Sequence, residues 1–442
     1  MTSLNKNDRN KIGMIKSKYS ELLSKKEQFI LIFYICLYII YSISAIPKDI
    51  LLGIIAIVFL VAPLKGTLIM YLFFTIWENV TIFSFGITLS LVLQIIMAIK
   101  IIIYLTLSKK TIFYKVSDIV ILVLCFFYGA MDYLIGTGGL SGFSLAINVL
   151  IVLYAYSIYR NDNQSFEFWK TVCFILMIST IIAIVYGIFN DTSLDRWITG
   201  MGYVKQLYGT IGTARMGMFL CASLIYPVFY LDKKIPRLIL CVILSLCALL
   251  TFSITTLICL MVFWGAIILF KDKKNITNKI VALFIFFVGL IIIIILWDRI
   301  KEIDIIRPMA IRVESMITAF KGGDMGSATS SRSYLAKIYF QDFQQYSLFN
   351  QIFGSFYINR FEVITGFGWD VSNYAHNSFI DLLLYSGVFG LIIFFIKTGA
   401  RIKNLKGKKE FLPVLLLKSI FLLTGLSVSM ITSSYWLVWM II

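Results

Sequence analysis

Apolar runs of about twenty residues, separated by short polar stretches, recur along nearly the whole chain. Each is too long and too poor in charge for a helix of a soluble core, and matches the ~17–25 residues needed to cross a bilayer. At that length the runs predict helices near residues 28–46, 50–64, 67–84, 87–107, 117–135, 142–159, 168–189, 213–231, 236–252, 255–270, 279–297, 376–396, 411–426 and 429–442. Lipid offers no partner to a free backbone group, so spans of this kind must be helices. The expected fold is all-α: a polytopic membrane protein of about fourteen transmembrane helices.

The pattern breaks once, between residues 298 and 375, a stretch far longer than a connector. The chain therefore divides into a polar N-terminal segment (1–27), a first set of spans (28–297), a large loop (298–375) and a last set of spans (376–442). Within the loop, Ile303, Ile306, Met309, Ala310, Val313, Met316, Ile317 and Phe320 recur at spacings of three and four. That spacing predicts a helix from Ile300 to Phe320 with one apolar stripe, kinked or split at Pro308. Ser330 or Ser331 caps a second helix, expected from Arg332 to Tyr346, and both helices suit the plane of a membrane surface. Aromatics are dense from Tyr334 to Tyr374, Tyr339 among them. They read either as an interfacial belt or as a surface for stacking on sugar rings.

Charge supplies a second, independent view. The net charge of +17 would suggest nucleic acid in a soluble protein, but most of the 40 basic residues fall in every second loop. Segments 1–27, 65–66, 108–116, 160–170, 232–237, 271–279 and 397–410 hold them, so these are expected in the cytoplasm, with both termini. The 298–375 loop is then extracytoplasmic. Lys100 and Lys418 fall inside predicted spans, where snorkelling toward an interface is the simplest expectation. Glu78 and Asp132 fall near outer helix ends, close to water. All seven cysteines lie in apolar runs without a CxxC pair, and there is one histidine, so neither a disulfide framework nor a Cys/His metal site is expected. Nor is any cofactor.

That histidine, His376, ends the loop where the next apolar run begins. An imidazole at a helix N-terminus is held toward its neutral form, able to accept a proton. A lone histidine is more often structural, and the residues alone leave the choice open. Arg215 opens a span on the outer side, and Arg307, Arg312 and Arg332 lie in the loop. Guanidinium groups pair bidentately with phosphate, or serve as solvated surface charge.

The stretch from His376-Asn377 through Gly387-Val388-Phe389-Gly390 resembles the signature of the O-antigen ligase and Wzy-type polymerase superfamily. In that family a His-Asn pair opens a helix with a Gly-x-x-Gly step about eleven residues on. Ser330-Ser331-Arg332-Ser333-Tyr334 is similar to the family's arginine at the head of an outer-loop helix, and Leu348-Phe349-Asn350-Gln351-Ile352-Phe353-Gly354 to the phrase that comes next. Two positions depart. Members often carry an arginine where this chain reads Phe252-Ser253-Ile254-Thr255-Thr256, so that Arg215 or Lys205 would have to substitute. The Tyr385 position is often acidic, and Asp381 either takes over that role or only packs.

The resemblance implies a metal-independent membrane glycosyltransferase using undecaprenyl-diphosphate-linked oligosaccharides, as donor and acceptor, on the outer face of the bacterial cytoplasmic membrane. It implies His376 as general base, Arg332 with Arg215 or Lys205 as diphosphate ligands, and Asn377, Tyr374 and Tyr339 against the substrate. The expected activity is polymerisation of repeat units into a capsule, exopolysaccharide or O-antigen. Membrane lipids are the expected surroundings, a flippase and a chain-length regulator are possible partners, and nucleic acid is not expected. An O-antigen-type ligase and a lipid-linked oligosaccharide flippase are the alternatives. A transporter should show related halves and several polar spans, and this chain shows neither.

Overall fold

A computed structural model describes residues 25–43, 48–74, 81–82, 87–108, 112, 115–135, 141–159, 162–190, 213–251, 253–271, 288, 295–303, 307–323, 332–355 and 377–428. The described residues are overwhelmingly helical. The helices are α1 Lys25–Ile43, α2 Lys48–Val61, α3 Leu64–Phe74, α4 Leu89–Ser108, α5 Val116–Ile135, α6 Ser141–Tyr159, α7 Asp162–Asn190, α8 Thr213–Ser223, α9 Ile225–Phe229, α10 Lys234–Leu249 and α11 Ile254–Ala266, the last continuing into a π turn, Ile267–Lys271. After these come α12 Trp297–Ile300, α13 Arg307–Lys321, α14 Arg332–Gln345, α15 Leu348–Phe353, α16 Ser378–Asn404 and α17 Phe411–Gly425.

Among the described residues, three helical stretches are long and apolar enough to cross a membrane: Val116–Leu134, Ser165–Val185 and Ser378–Asn404. Shorter apolar helices, such as Leu91–Leu107 and Phe143–Ile158, pack beside them. The distribution of polarity is inverted relative to a soluble protein. On α10 the residues Ile235, Leu238, Ile239, Val242, Ile243 and Leu246 face outward, while α5 exposes Val120, Val123 and Phe127. Inside, polar side chains pair with one another: Tyr71 donates to Asn148 Oδ1 (2.8 Å), Gln94 to Tyr71 (3.3 Å) and Ser144 to Gln94 Oε1 (2.7 Å). Interhelical hydrogen bonds of this kind join helices where no hydrophobic force between them is available. Together these features suggest membrane association.

Several expectations need correction. In the third predicted helix, 67–84, Thr81 and Ile82 are not helical but belong to a two-residue antiparallel ladder that pairs Thr81 with Thr88 and Ile82 with Ile87. Of the predicted 300–320 helix, 301–303 form a turn, and α13 starts at Arg307 with Pro308 in its first turn, where its missing N–H costs nothing. The predicted 213–231 helix needs no correction: α8 and α9 run as one apolar stretch, Ala214–Phe229, with Leu224 itself in the helical region (φ −62°, ψ −21°). Spans predicted at 279–297 and 429–442 lie, largely or wholly, outside the described residues, as does Glu78.

Two cations of the predicted spans are also described. Lys100 on α4, half-buried, reaches toward a helix end. Its ammonium donates to Phe59 O (2.7 Å), Ala62 O (2.5 Å) and Thr67 Oγ1 (2.8 Å), closing the carbonyls left open where α2 ends. Lys418 does not snorkel, being 1% exposed inside α17. Asp132 is buried rather than wet, within electrostatic reach of Tyr385.

Contacts between helix ends sort them into two groups. Lys397 of α16 pairs with Asp118 of α5 (3.0 Å), and Asn404 of α16 donates to Tyr156 of α6 (3.1 Å). At the other group of ends, Thr255 at the head of α11 shares a hydrogen bond with Ser427 after α17 (2.7 Å), and Asn377 and Ser378 at the head of α16 donate to Leu426 O (3.2 Å) and Val428 O (2.8 Å). The first group abuts segments 108–116, 160–170 and 397–410, which carry basic residues, and the second abuts segments poor in lysine.

Two glycines make the tightest backbone approach. Gly354 (φ 84°) ends α15, and Gly387 (φ 66°) interrupts α16, both with ψ near 180° in a region essentially open to glycine alone. A Cβ on Gly354 would collide with the Tyr385 carbonyl, and one on Gly387 with the Ile352 carbonyl. Gly53, on α2, has open space around it. Gly354→Ala or Gly387→Ala is expected to cost more than about 2 kcal/mol, whereas Gly53→Ala should be neutral or stabilising by up to about 1 kcal/mol. Thermal unfolding of the three variants in detergent checks this ordering.

Candidate functional site

The head of α16 is built by Asn377. Its Oδ1 accepts from the Phe379 and Ile380 backbone N–H groups (3.0 and 3.2 Å), satisfying donors that a helix start leaves open. Its Nδ2 donates to Leu426 O, tying the same turn to the end of α17. Both ends of this amide are thus engaged within the protein. His376, immediately before the cap, and Tyr374 lie outside the described residues, as does Lys205.

Arg332 heads α14, and its side chain is not among those described. Two turns farther along α14, the helix is pinned to α16. Tyr339 and Phe343 pack with Leu383 and Leu384 of α16 into one buried cluster, flanked by Leu335, Tyr346 and Ile380. Tyr339 is 3% exposed, so its ring meets α16 rather than solvent. The exposed aromatics here are Phe340 on α14 and Phe349 on α15.

α15 then drives into the side of α16. Ser347 caps it by accepting from Asn350 N, and its end at Gly354 lies against Tyr385. The break at Gly387 interrupts the helical hydrogen-bond ladder, and three groups from elsewhere meet that region. Ser355 donates to Leu384 O from both its N–H (2.8 Å) and its Oγ (3.0 Å). Tyr128 of α5 donates to Phe353 O (2.6 Å), with Ser386 O at 3.4 Å. The break lies about ten residues, ~15 Å, along α16 from its cap. Both glycine-bearing phrases are visible in the sequence, but nothing there indicates that they touch. Ser355 and Tyr128 were missed at the level of sequence altogether, because nothing local to either residue signals the contact.

Arg215, in the first turn of α8, is half-buried. Two residues on, Gly217 lies so close to Thr256 of α11 that a Cβ would overlap the threonine side chain. Thr255 reaches Ser427, and Leu426 accepts from Asn377. The heads of α8, α11 and α16 are therefore joined through direct contacts.

No protein family, characterised protein or solved structure matches the chain.

Farther out in the loop, Lys301 bridges Asp298 (2.7 Å) and Glu314 (3.4 Å), and Trp297 Nε1 donates to Glu314 (3.2 Å), tethering α12 to α13. The hydrogen bond from Lys301 holds the Asp298 carboxyl below its usual range. Arg307 is exposed, and the Arg312 side chain is not among those described. Among the described residues no cluster of three His, Cys, Asp or Glu is placed to hold a metal ion.

The two roles open to Asn377 separate experimentally. Asn377→Ala should lower stability by about 1 kcal/mol or more, through loss of the cap and of the bond to Leu426 O, and Asn377→Ser, which keeps a capping acceptor and sets no oxygen against that carbonyl, by less. If Asn377 also touches substrate, the Ser variant should lose turnover out of proportion to its small shift in melting temperature.

Proposed function

We propose that the protein is a polymerase joining undecaprenyl-diphosphate-linked oligosaccharide repeat units on the outer face of the bacterial cytoplasmic membrane. The observation that carries this reading is the convergence of three separate phrases. The segments that resemble the O-antigen ligase and Wzy-type superfamily head or end α14, α15 and α16, and these three helices pack as one unit. Arg332 and His376 head two helices locked together by Tyr339, Phe343, Leu383 and Leu384.

In this reading the chain has about fourteen spans with both termini inside, and the lysine-poor helix ends face outward. That reading is supported by the sorting of helix ends into two groups. The exposed apolar side chains of α13, Ile311, Ile317 and Phe320, suit a helix lying on the outer leaflet.

His376 takes the proton from an acceptor sugar hydroxyl, whose oxygen attacks the anomeric carbon of the donor chain. The bond from that carbon to the diphosphate oxygen breaks, and undecaprenyl diphosphate leaves with the electron pair. Arg332 and Arg215 stabilise the charge on the departing diphosphate. The close seat of Gly217 on Thr256 favours Arg215 over Lys205 as the replacement for the arginine that relatives carry at the 252–256 turn. Two buried carboxylates, Asp132 and Asp381, lie near Tyr385, where relatives are often acidic. Stacking on sugar rings falls to exposed aromatics rather than to Tyr339.

Purified protein supplied with lipid-diphosphate repeat units should yield a ladder of longer glycans. His376→Ala is expected to reduce ladder formation about 10²–10⁴-fold and Arg332→Ala about 10²–10³-fold, with Arg332→Lys recovering part of the loss. Transbilayer movement of the unit with no ladder from the wild type would overturn the polymerase reading in favour of a transporter.

A further inference from the structure

Along α16, from Leu382 to Arg401, a cavity of about 100 Å³ lies between that helix, α5 and α6. Its walls are apolar, with Leu124, Val149, Leu153 and Phe394 among them, and one end carries Asp118, Lys397 and Arg401. α5 and α16 run antiparallel along it. Asp118 meets Lys397 at the charged end, and Tyr128 meets Ser386 at the other. Those two contacts are about ten residues apart on α5, a slot of ~15 Å at 1.5 Å per residue. That is half the ~30 Å hydrocarbon core of a bilayer.

The charged end carries an excess of cations. Lys397 is paired with Asp118 and Ser117. Arg401 is 7% exposed, stacked with Cζ 3.3 Å from the centre of the Tyr156 ring, and its Nε is buried with no acceptor among the described residues. A guanidinium buried in this way, with its Nε lacking an acceptor, is costly unless an anion joins it.

We infer that this slot binds an anionic phospholipid of the leaflet opposite the proposed glycan chemistry, with one acyl chain between α5, α6 and α16 and the phosphate on Arg401. The slot is apolar along its length and cationic only where a headgroup would sit. A guanidinium matches a phosphate diester geometrically, and Lys397 stands one turn away to accept a second contact. The inference rests on the membrane reading of the chain and not on polymerisation.

The full chain, purified in a mild detergent and delipidated, is titrated with dioleoyl phosphatidylglycerol or dioleoyl phosphatidylcholine, with binding read by native mass spectrometry and by the shift in melting temperature. Phosphatidylglycerol is expected to bind at least about tenfold more tightly and to raise the melting temperature, while phosphatidylcholine does neither. Arg401→Gln should abolish about tenfold of that preference, and Leu153→Trp, which fills the slot, should weaken the phosphatidylglycerol complex. Equal binding of the two lipids by the wild type overturns the proposal even if the variants fail to fold. So does an equal rise in melting temperature with inorganic phosphate alone, which would assign the site to a free anion. A negative ladder assay leaves these outcomes unaffected.

Discussion

A helix surrounded by apolar groups can be interrupted only where something else bonds the backbone it frees, and the break in α16 at Gly387 depends on that condition. Ser355 supplies two donors to one carbonyl, and Tyr128 supplies a third group from α5. Each residue arrives from a different part of the chain. Glycine at both 354 and 387 lets backbone lie directly on backbone, and that approach brings Ser355 within reach. The loop between the two sets of helices is consequently anchored into the bundle rather than resting on its surface.

The same rule organises the interior at large. Lys100 closes the end of α2, Asn377 closes the start of α16, and the Tyr71, Asn148, Gln94 and Ser144 side chains satisfy one another. Polar side chains here serve as fasteners between helices that hydrophobicity alone does not hold together, because their outer faces are as apolar as their inner ones. This accounts for buried charge in a chain whose surface is greasy. It also makes Arg401 conspicuous, since its Nε lacks such a partner among the described residues.

Helix positions were legible in the sequence wherever a run was long and uninterrupted: the expected 117–135 and 142–159 spans fall within a residue of α5 and α6. Legibility failed where local chemistry competed with hydropathy. The apolar pattern that predicts a helix over 67–84 does not reveal that Thr81 and Ile82 pair as a strand with Ile87 and Thr88. In the candidate site the motif residues were visible as words but not as neighbours. Tyr339 read as a stacking surface because aromatics near an interface look alike in sequence, and only packing against Leu383 and Leu384 distinguishes a buried ring from an exposed one. Long-range pairs such as Tyr128 with Phe353 leave no periodic trace at all.

The two anchors at Ser355 and Asn377 are both fastened to the first three turns of a single helix. Two positions far apart in sequence thereby share one support, so that whatever displaces the head of α16 displaces both together, and a strain placed on one of them is felt at the other.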